Sequence, residues 1–195
     1  LGFALKRAQW QMARHQGLDH ITWTYDPLLS RNAYLNIAKL GAVCNTYRRS
    51  EYGEMRDGLN AGLPSDRFQV DWWVNTKRVE MRLSRRSRTP LGLEHFLAAG
   101  ADLFAARSNP NGRLRPPEAY PAPTGRLMLV EIPSDFQMLR AADLDLAREW
   151  RFHGRSVFET AFAAGYLATD FVFDRSAEVQ RSFYVLAHGE STLED

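Results

Sequence analysis

The chain has 195 residues, a formal net charge of +2, 45% hydrophobic and 12% aromatic residues. That is enough apolar material for a real core, and the near-balanced charge argues against a dedicated nucleic-acid binder. The single cysteine, Cys44, excludes an intramolecular disulfide framework and suits a reducing cytoplasm; no apolar run approaches the roughly 18 residues of a membrane span.

The chain opens on a helix. Leu1, Leu5, Ala8 and Met12 recur at the period of one buried helix face, with Lys6, Arg7, Gln9, Gln11 and Arg14 on the other side. Gly17 stands at a C′ position. His20–Tyr25 is β-branched and aromatic and predicts a strand, which Asp26-Pro27 breaks. A second helix follows with Leu29, Ala33, Ile37 and Leu40 on its apolar face, and Gly41 ends it. Val43–Tyr47 predicts a strand, 48–64 a glycine-containing polar loop, and Phe68–Val74 a half-buried alternating strand.

Beyond residue 75 the pattern changes. Thr76–Arg88 is basic, and Arg78, Arg82 and Arg85 would share one helical face. Leu91–Ala106 predicts a further helical stretch, interrupted by Gly92 and Gly100, and Ser108–Gly125, with five prolines, a linker or irregular loop. Leu127–Ile132 predicts a strand stopped by Pro133, with Ser134 or Asp135 capping a short turn. Asp143 caps the longest helix, whose stripe runs from Leu144 to Phe162, and Gly165 closes it. Tyr166–Phe173 and Ser182–Ala187 predict a strand pair. Helix–Gly–strand thus occurs twice, at Lys39–Val43 and at Ala163–Leu167. This reads either as two related half-folds sharing a sheet or as a common connection met twice.

The opening Leu1-Gly2-Phe3-Ala4-Leu5-Lys6 resembles the end of the phosphate loop of GNAT-superfamily acyltransferases, where a glycine hands over to a helix. Ser30–Ala42 is similar to the same family's Asn-x-x-Ala-x-x-Leu-Tyr-x-Lys-x-Gly-Phe box, with Ala33, Lys39 and Gly41 in register. The resemblance covers roughly residues 1–74. It implies an α/β fold with a mixed, largely antiparallel sheet flanked by helices, of which the N-terminal half would precede Leu1. With the patterns read beyond residue 75 it gives three parts: a GNAT-like coenzyme-binding half over 1–75, a basic helical segment and Pro-rich linker over 76–125, and a strand–helix–strand–strand unit over 126–195. It implies acetyl-CoA or another acyl-CoA as co-substrate, held by Leu1, Gly2, Phe3, Ser30 and Asn32, with acyl transfer to a small-molecule amine. The general base and oxyanion donor would come from a strand before Leu1, so this chain would be inactive alone or would borrow strands from a partner, and an exposed edge would favour a homodimer.

Two positions depart from the family pattern. Ile37 stands where the box has its proton-donating tyrosine, and Ser30 where it has asparagine. Isoleucine has no proton to give, so Tyr34 or Tyr25 would have to serve, or the chain is a binding or assembly module that kept the fold without the chemistry. The arginine cluster reads as a solvated face, as a grip on an acidic partner, or as a contact for the 3′-phosphate of coenzyme A. His15, His20, His95, His153 and His188 lack metal-ligand spacing, and Cys44 reads as a small core residue. Neither nucleic acid nor membrane is expected as a partner.

Overall fold

The computed structural model describes residues 2–53, 62–84, 89–108, 113–118, 123–176 and 179–188. Helix α1 (Gly2–His15) leads to β1 (His20–Tyr25); α2 (Ser30–Ala33) runs directly into a π-helical segment (Tyr34–Lys39); β2 (Val43–Arg48) and β3 (Arg67–Trp73) follow. Then come α3 (Lys77–Leu83), α4 (Leu93–Ala98), β4 (Asp102–Phe104), a small hairpin of β5 (Arg107–Ser108) and β6 (Leu114–Arg115), β7 (Leu127–Ile132), α5 (Phe136–Ala142), α6 (Leu144–Ala163), β8 (Tyr166–Asp174) and β9 (Arg181–His188).

Seven strands form one sheet in the order β1-β3-β2-β8-β9-β7-β4. Every pairing is antiparallel except β4 with β7. The fold is therefore α/β with a mixed, mostly antiparallel sheet flanked by helices, the fold class expected.

The sheet is built from the same unit twice. In each unit a strand leads through a helix to a second strand, and a third strand inserts between the two: β1-β3-β2 in the first, β7-β9-β8 in the second. Gly41 and Gly165 turn helix into strand with φ of +74° and +87°, a conformation that disfavours any side chain. Cys44, three residues past Gly41, pairs across the junction with Ala168, three residues past Gly165. Tyr47 faces Phe68 in one unit, and Phe171, the matching residue, faces Tyr184 in the other. Both units slip register by one residue at the same place, between Val43 and Thr46 and between Ala168 and Asp170. An approximate two-fold axis therefore passes between β2 and β8. Of the two sequence readings of the repeated helix–Gly–strand, the related half-folds hold.

The main core joins the units. Phe68 touches Tyr25, Tyr47, Phe158, Phe162 and Tyr184 with ring centroids 4.8–5.9 Å apart. Ala33, Ile37 and Leu40 enter the same cluster from α2 and the π segment, and Trp150, Val157, Phe158 and Ala161 from α6. A second cluster of Phe96, Leu129, Val172, Phe183 and Val185 lies under α4 on the other face of the second unit. The alternation Phe183/Tyr184/Val185/Leu186 feeds both clusters, because successive strand residues point to opposite faces.

Three expectations are corrected. The Leu5–Ala8–Met12 stripe of α1 is its solvent face: Leu5 is 63% and Met12 62% exposed, while Trp10 and Ala13 face the protein. The indole of Trp10 donates to the Val74 carbonyl at 2.8 Å, and that directional bond, with the packing around it, overrides the apolar periodicity. The stretch 91–106 is helical only to Ala98, because Gly100, at φ +80°, turns the chain into β4. Within 108–125 a short hairpin forms, Arg107 opposite Arg115 and Ser108 opposite Leu114.

His153, on α6, is half-buried, and burial lowers its pKa to about 4. The unfolded chain, with its histidine near 6.5, binds a proton more readily than the folded one. Stability therefore falls as the pH drops from about 6.5 to about 4. Replacing His153→Gln is expected to flatten that part of a stability–pH curve measured by urea unfolding, by about 1–2 kcal/mol after allowance for solvent screening; an unchanged slope would assign the loss to other groups.

Candidate functional site

Helix α1 lies against β1 and the π segment. The Lys6 ammonium sits 3.6 Å above the Trp23 ring and 5.7 Å from that of Trp72; burial lowers the lysine's pKa. The Trp23 indole donates to the Asn36 side-chain oxygen at 3.3 Å, and Leu35 packs against the α-carbon side of Gly2. No acidic residue stands in the first turn of α1, where a helix has its unpaired N–H groups and the positive end of its dipole.

Phe3 at that helix end, Tyr34, Ala38 and Lys39 of the second helix, Met81 of α3 and Phe171 of β8 line a cavity of about 350 Å³. The Tyr34 ring leans on Phe173 at 4.9 Å, and the Lys39 ammonium lies 5.4 Å from its centroid. The cavity wall is stiffened by two arginines of α3. Arg82 donates to the Ala38 carbonyl at 2.5 Å and to Asp170 at 2.9 Å. Arg78 donates to the Gly41 carbonyl at 2.9 Å and to the Thr169 carbonyl. These guanidinium groups satisfy carbonyls at the C-terminal end of the π segment, where the macrodipole favours cations. The solvated-face expectation is thus corrected for Arg78 and Arg82; Arg85, Arg86 and Arg88 lie outside the described residues. With Arg82 paired to Asp170, Lys39 is the exposed cation among the described residues that line the cavity.

The residues expected to hold coenzyme do not converge. Leu1 lies outside the described residues. Gly2 and Phe3 stand at the first cavity's helix end. Ser30 is buried and donates to the Ser134 carbonyl at 2.6 Å. Together with Asn32 it lines a separate cavity of about 210 Å³ with Ser134, Asp135 and Phe136. The second-unit loop claims that serine, which the motif alignment could not reveal. The two proton-donor candidates also part. Tyr25 ends β1 as a core residue whose hydroxyl meets that of Tyr184 at 2.9 Å, and burial pushes its pKa well up, which counts against it as the proton donor. Tyr34 lines the first cavity. Ile37 is fully buried.

Cys44 is buried, and burial raises its thiol pKa, which fits the core reading. His20 bonds Asp71 at 2.8 Å and stacks on Trp73 at 4.0 Å; cross-strand pairing of His20 with Trp73 makes this contact, and one-dimensional spacing carried no sign of it. Among the described residues no group of three His, Cys, Asp or Glu side chains could hold a metal ion, and no helix is long and apolar enough to cross a membrane. Lys6 and Asp170 were missed as site residues by sequence reasoning, which named Arg82 without its partner Asp170. Asp170 could be found only by knowing that β8 lies beside the π segment.

No family description, curated protein or solved structure matches this chain.

Proposed function

We propose that the chain binds acyl-CoA through the N-terminal end of α1 and the cavity beside it, as part of a GNAT-like N-acyltransferase acting on a small amine. The observation that carries this reading is the shared cavity of Phe3, Tyr34 and Lys39. The order of elements supports it: helix, strand, helix, strand, loop and strand run through residues 2–73, an order similar to that of the second half of a GNAT domain. The α1 amides would take the diphosphate, and the Lys39 ammonium a further phosphate.

In the transfer, the amine nitrogen attacks the thioester carbonyl carbon, the C–S bond breaks, and the nitrogen gives up one proton as the amide forms, balancing the one that the sulfur takes. The departing thiolate needs a proton. Ile37 cannot supply it, and Tyr34, one turn back and on the cavity wall, is the residue that can. Tyr34→Phe is expected to lower turnover with a panel of amines about 10²–10⁴-fold while leaving the coenzyme A affinity measured by calorimetry unchanged. Unchanged turnover would remove Tyr34 from the chemistry. Absence of coenzyme A binding at about 1 mM would remove the whole reading.

A non-catalytic module is the second reading, favoured by the fully buried Ile37 at the position of the family's acid. It predicts heat of binding with coenzyme A and no turnover by the wild type.

A further inference from the structure

A second basic cluster lies apart from the Tyr34 cavity, on residues at the end of β1, the start of β3, α5 and α6. Asp26, Arg67, Arg140 and Arg151 line a cavity of about 10 Å³, room for one oxygen atom the size of a water. Asp26 is already compensated: its carboxylate accepts from both terminal nitrogens of Arg151 and from the Leu28 N–H, and Arg67 stands 3.7 Å away. Neighbouring charges cancel as well, Asp66 against Arg155 at 2.9 Å and Asp145 against Arg148 at 3.3 Å. Three guanidinium groups around one carboxylate give the cavity wall a charge of +2. Two donors of the cluster are unspent. The Arg151 Nε–H is buried without a hydrogen-bond partner, in a side chain that is 2% exposed. Arg140, half-buried on α5, has neither a hydrogen bond nor an ion pair among the described residues. A buried donor without an acceptor is costly, so such groups ordinarily serve a ligand, an ion or a water.

We propose that this cluster binds a terminal phosphate group, free or on a small monoester, with one oxygen in the cavity on the Arg151 Nε–H and the outer oxygens on Arg140. The charges match, since such a group carries about −1.5 to −2 at pH 7, and its oxygens accept guanidinium bonds in a fixed fork. A carboxylate fits less well, because it leaves one positive charge uncompensated. Arg67 contributes its charge, its Nη1 being committed to the Asp66 carbonyl at 2.8 Å. The inference is independent of the acyl-transfer reading: none of these residues lines the cavity of Phe3, Tyr34 and Lys39.

Calorimetric titration of the full chain with inorganic phosphate at constant ionic strength tests this. The wild type is expected to bind one equivalent with a dissociation constant of about 0.1–1 mM, and Arg140→Gln to weaken binding at least about tenfold. Arg140→Lys is expected to fall between them, because an ammonium keeps the charge and loses the fork. Lys39→Gln is expected to bind phosphate like the wild type. Urea unfolding without phosphate checks that Arg140→Gln keeps the wild-type stability. A parallel titration with glycerol phosphate separates the two sources: an ester bound as tightly as phosphate or better points to monoesters, a weaker one to the free ion. No saturable binding up to about 10 mM overturns the proposal and leaves the cavity to a water. Arg140→Gln binding like the wild type overturns it too, and loss of binding in Lys39→Gln alone would place the phosphate at the end of α1 instead.

Discussion

Replacing Phe68→Ala is expected to cost about 3–5 kcal/mol, a large part of the roughly 5–15 kcal/mol that holds a domain folded. Phe68 is fully buried, and its ring touches residues from both units: Tyr25 and Tyr47 from the first, Phe158, Phe162 and Tyr184 from the second. Tyr184 is its counterpart under the approximate two-fold, so the cavity left behind would open between the two matched positions. Collapse is hindered because the Tyr25 and Tyr184 hydroxyls are fixed to each other at 2.9 Å and Tyr184 donates to the Pro27 carbonyl at 2.8 Å. Urea unfolding would measure the loss, with Trp73→Ala as comparison. Trp73 is on the same strand but partly exposed on the opposite face, and about 1 kcal/mol or less is expected there. Equal effects at the two positions would show that the ring cluster is not the shared core.

The strands were the most legible part of the sequence, because a sheet with one face in the core writes an alternating or β-branched pattern into each segment. His20–Tyr25 and Leu127–Ile132 were bounded to the residue by Asp26-Pro27 and Pro133. Asp143 was readable as a cap, and it accepts from the Leu146 N–H at 3.0 Å. Helix orientation was less legible. In α1 the apolar residues suggested one inward face and the indole of Trp10 took the other, because a hydrogen bond to Val74, 64 residues away, has no local signature. The π segment was equally hidden. Its apolar face, Ala33, Ile37 and Leu40, fits an ordinary helix, and the widened turn shows only in bonds such as Leu40 N–H to Leu35 carbonyl.

The candidate site was half legible for a related reason. Gly2, Phe3 and Tyr34 belong to two neighbouring helices, so a local motif sufficed to bring them to attention. Arg82 and Asp170 are 88 residues apart and meet only because β8 pairs with β2. Ser30 was misplaced by the same long-range packing, through Ser134. The repeated unit explains both cases. Once the two halves share a sheet, loops and strands of the second half fall against the helix of the first, and residues that read as solvent-facing or ligand-facing become structural partners. Arg78 and Arg82 show the consequence most directly: a run of arginines that looks like a binding surface is drawn inward to hold the end of a helix.

The junction also depends on the buried ion pair of Arg151 with Asp26, and breaking it is expected to rival the core truncation. Arg151 of α6 is 2% exposed and grips Asp26 through its two terminal guanidinium nitrogens at 2.9 and 2.6 Å. Asp26 closes β1 and accepts from the Leu28 N–H at 2.9 Å, so the pair fastens the second unit's long helix to the corner where the first unit turns toward α2. Arg151→Met removes the main partner and leaves a desolvated carboxylate, with Arg67 only 3.7 Å away as compensation; about 3–5 kcal/mol is expected to be lost. The attraction between buried charges is largely offset by their desolvation, so removing both should be cheaper than removing one. Asp26→Asn combined with Arg151→Met is therefore expected to recover about 1–3 kcal/mol of that loss, since asparagine keeps an oxygen for the Leu28 N–H. A double variant as unstable as Arg151→Met alone would mean that the guanidinium acts through packing against Phe136, whose ring it overlies at 5.2 Å, and not through charge.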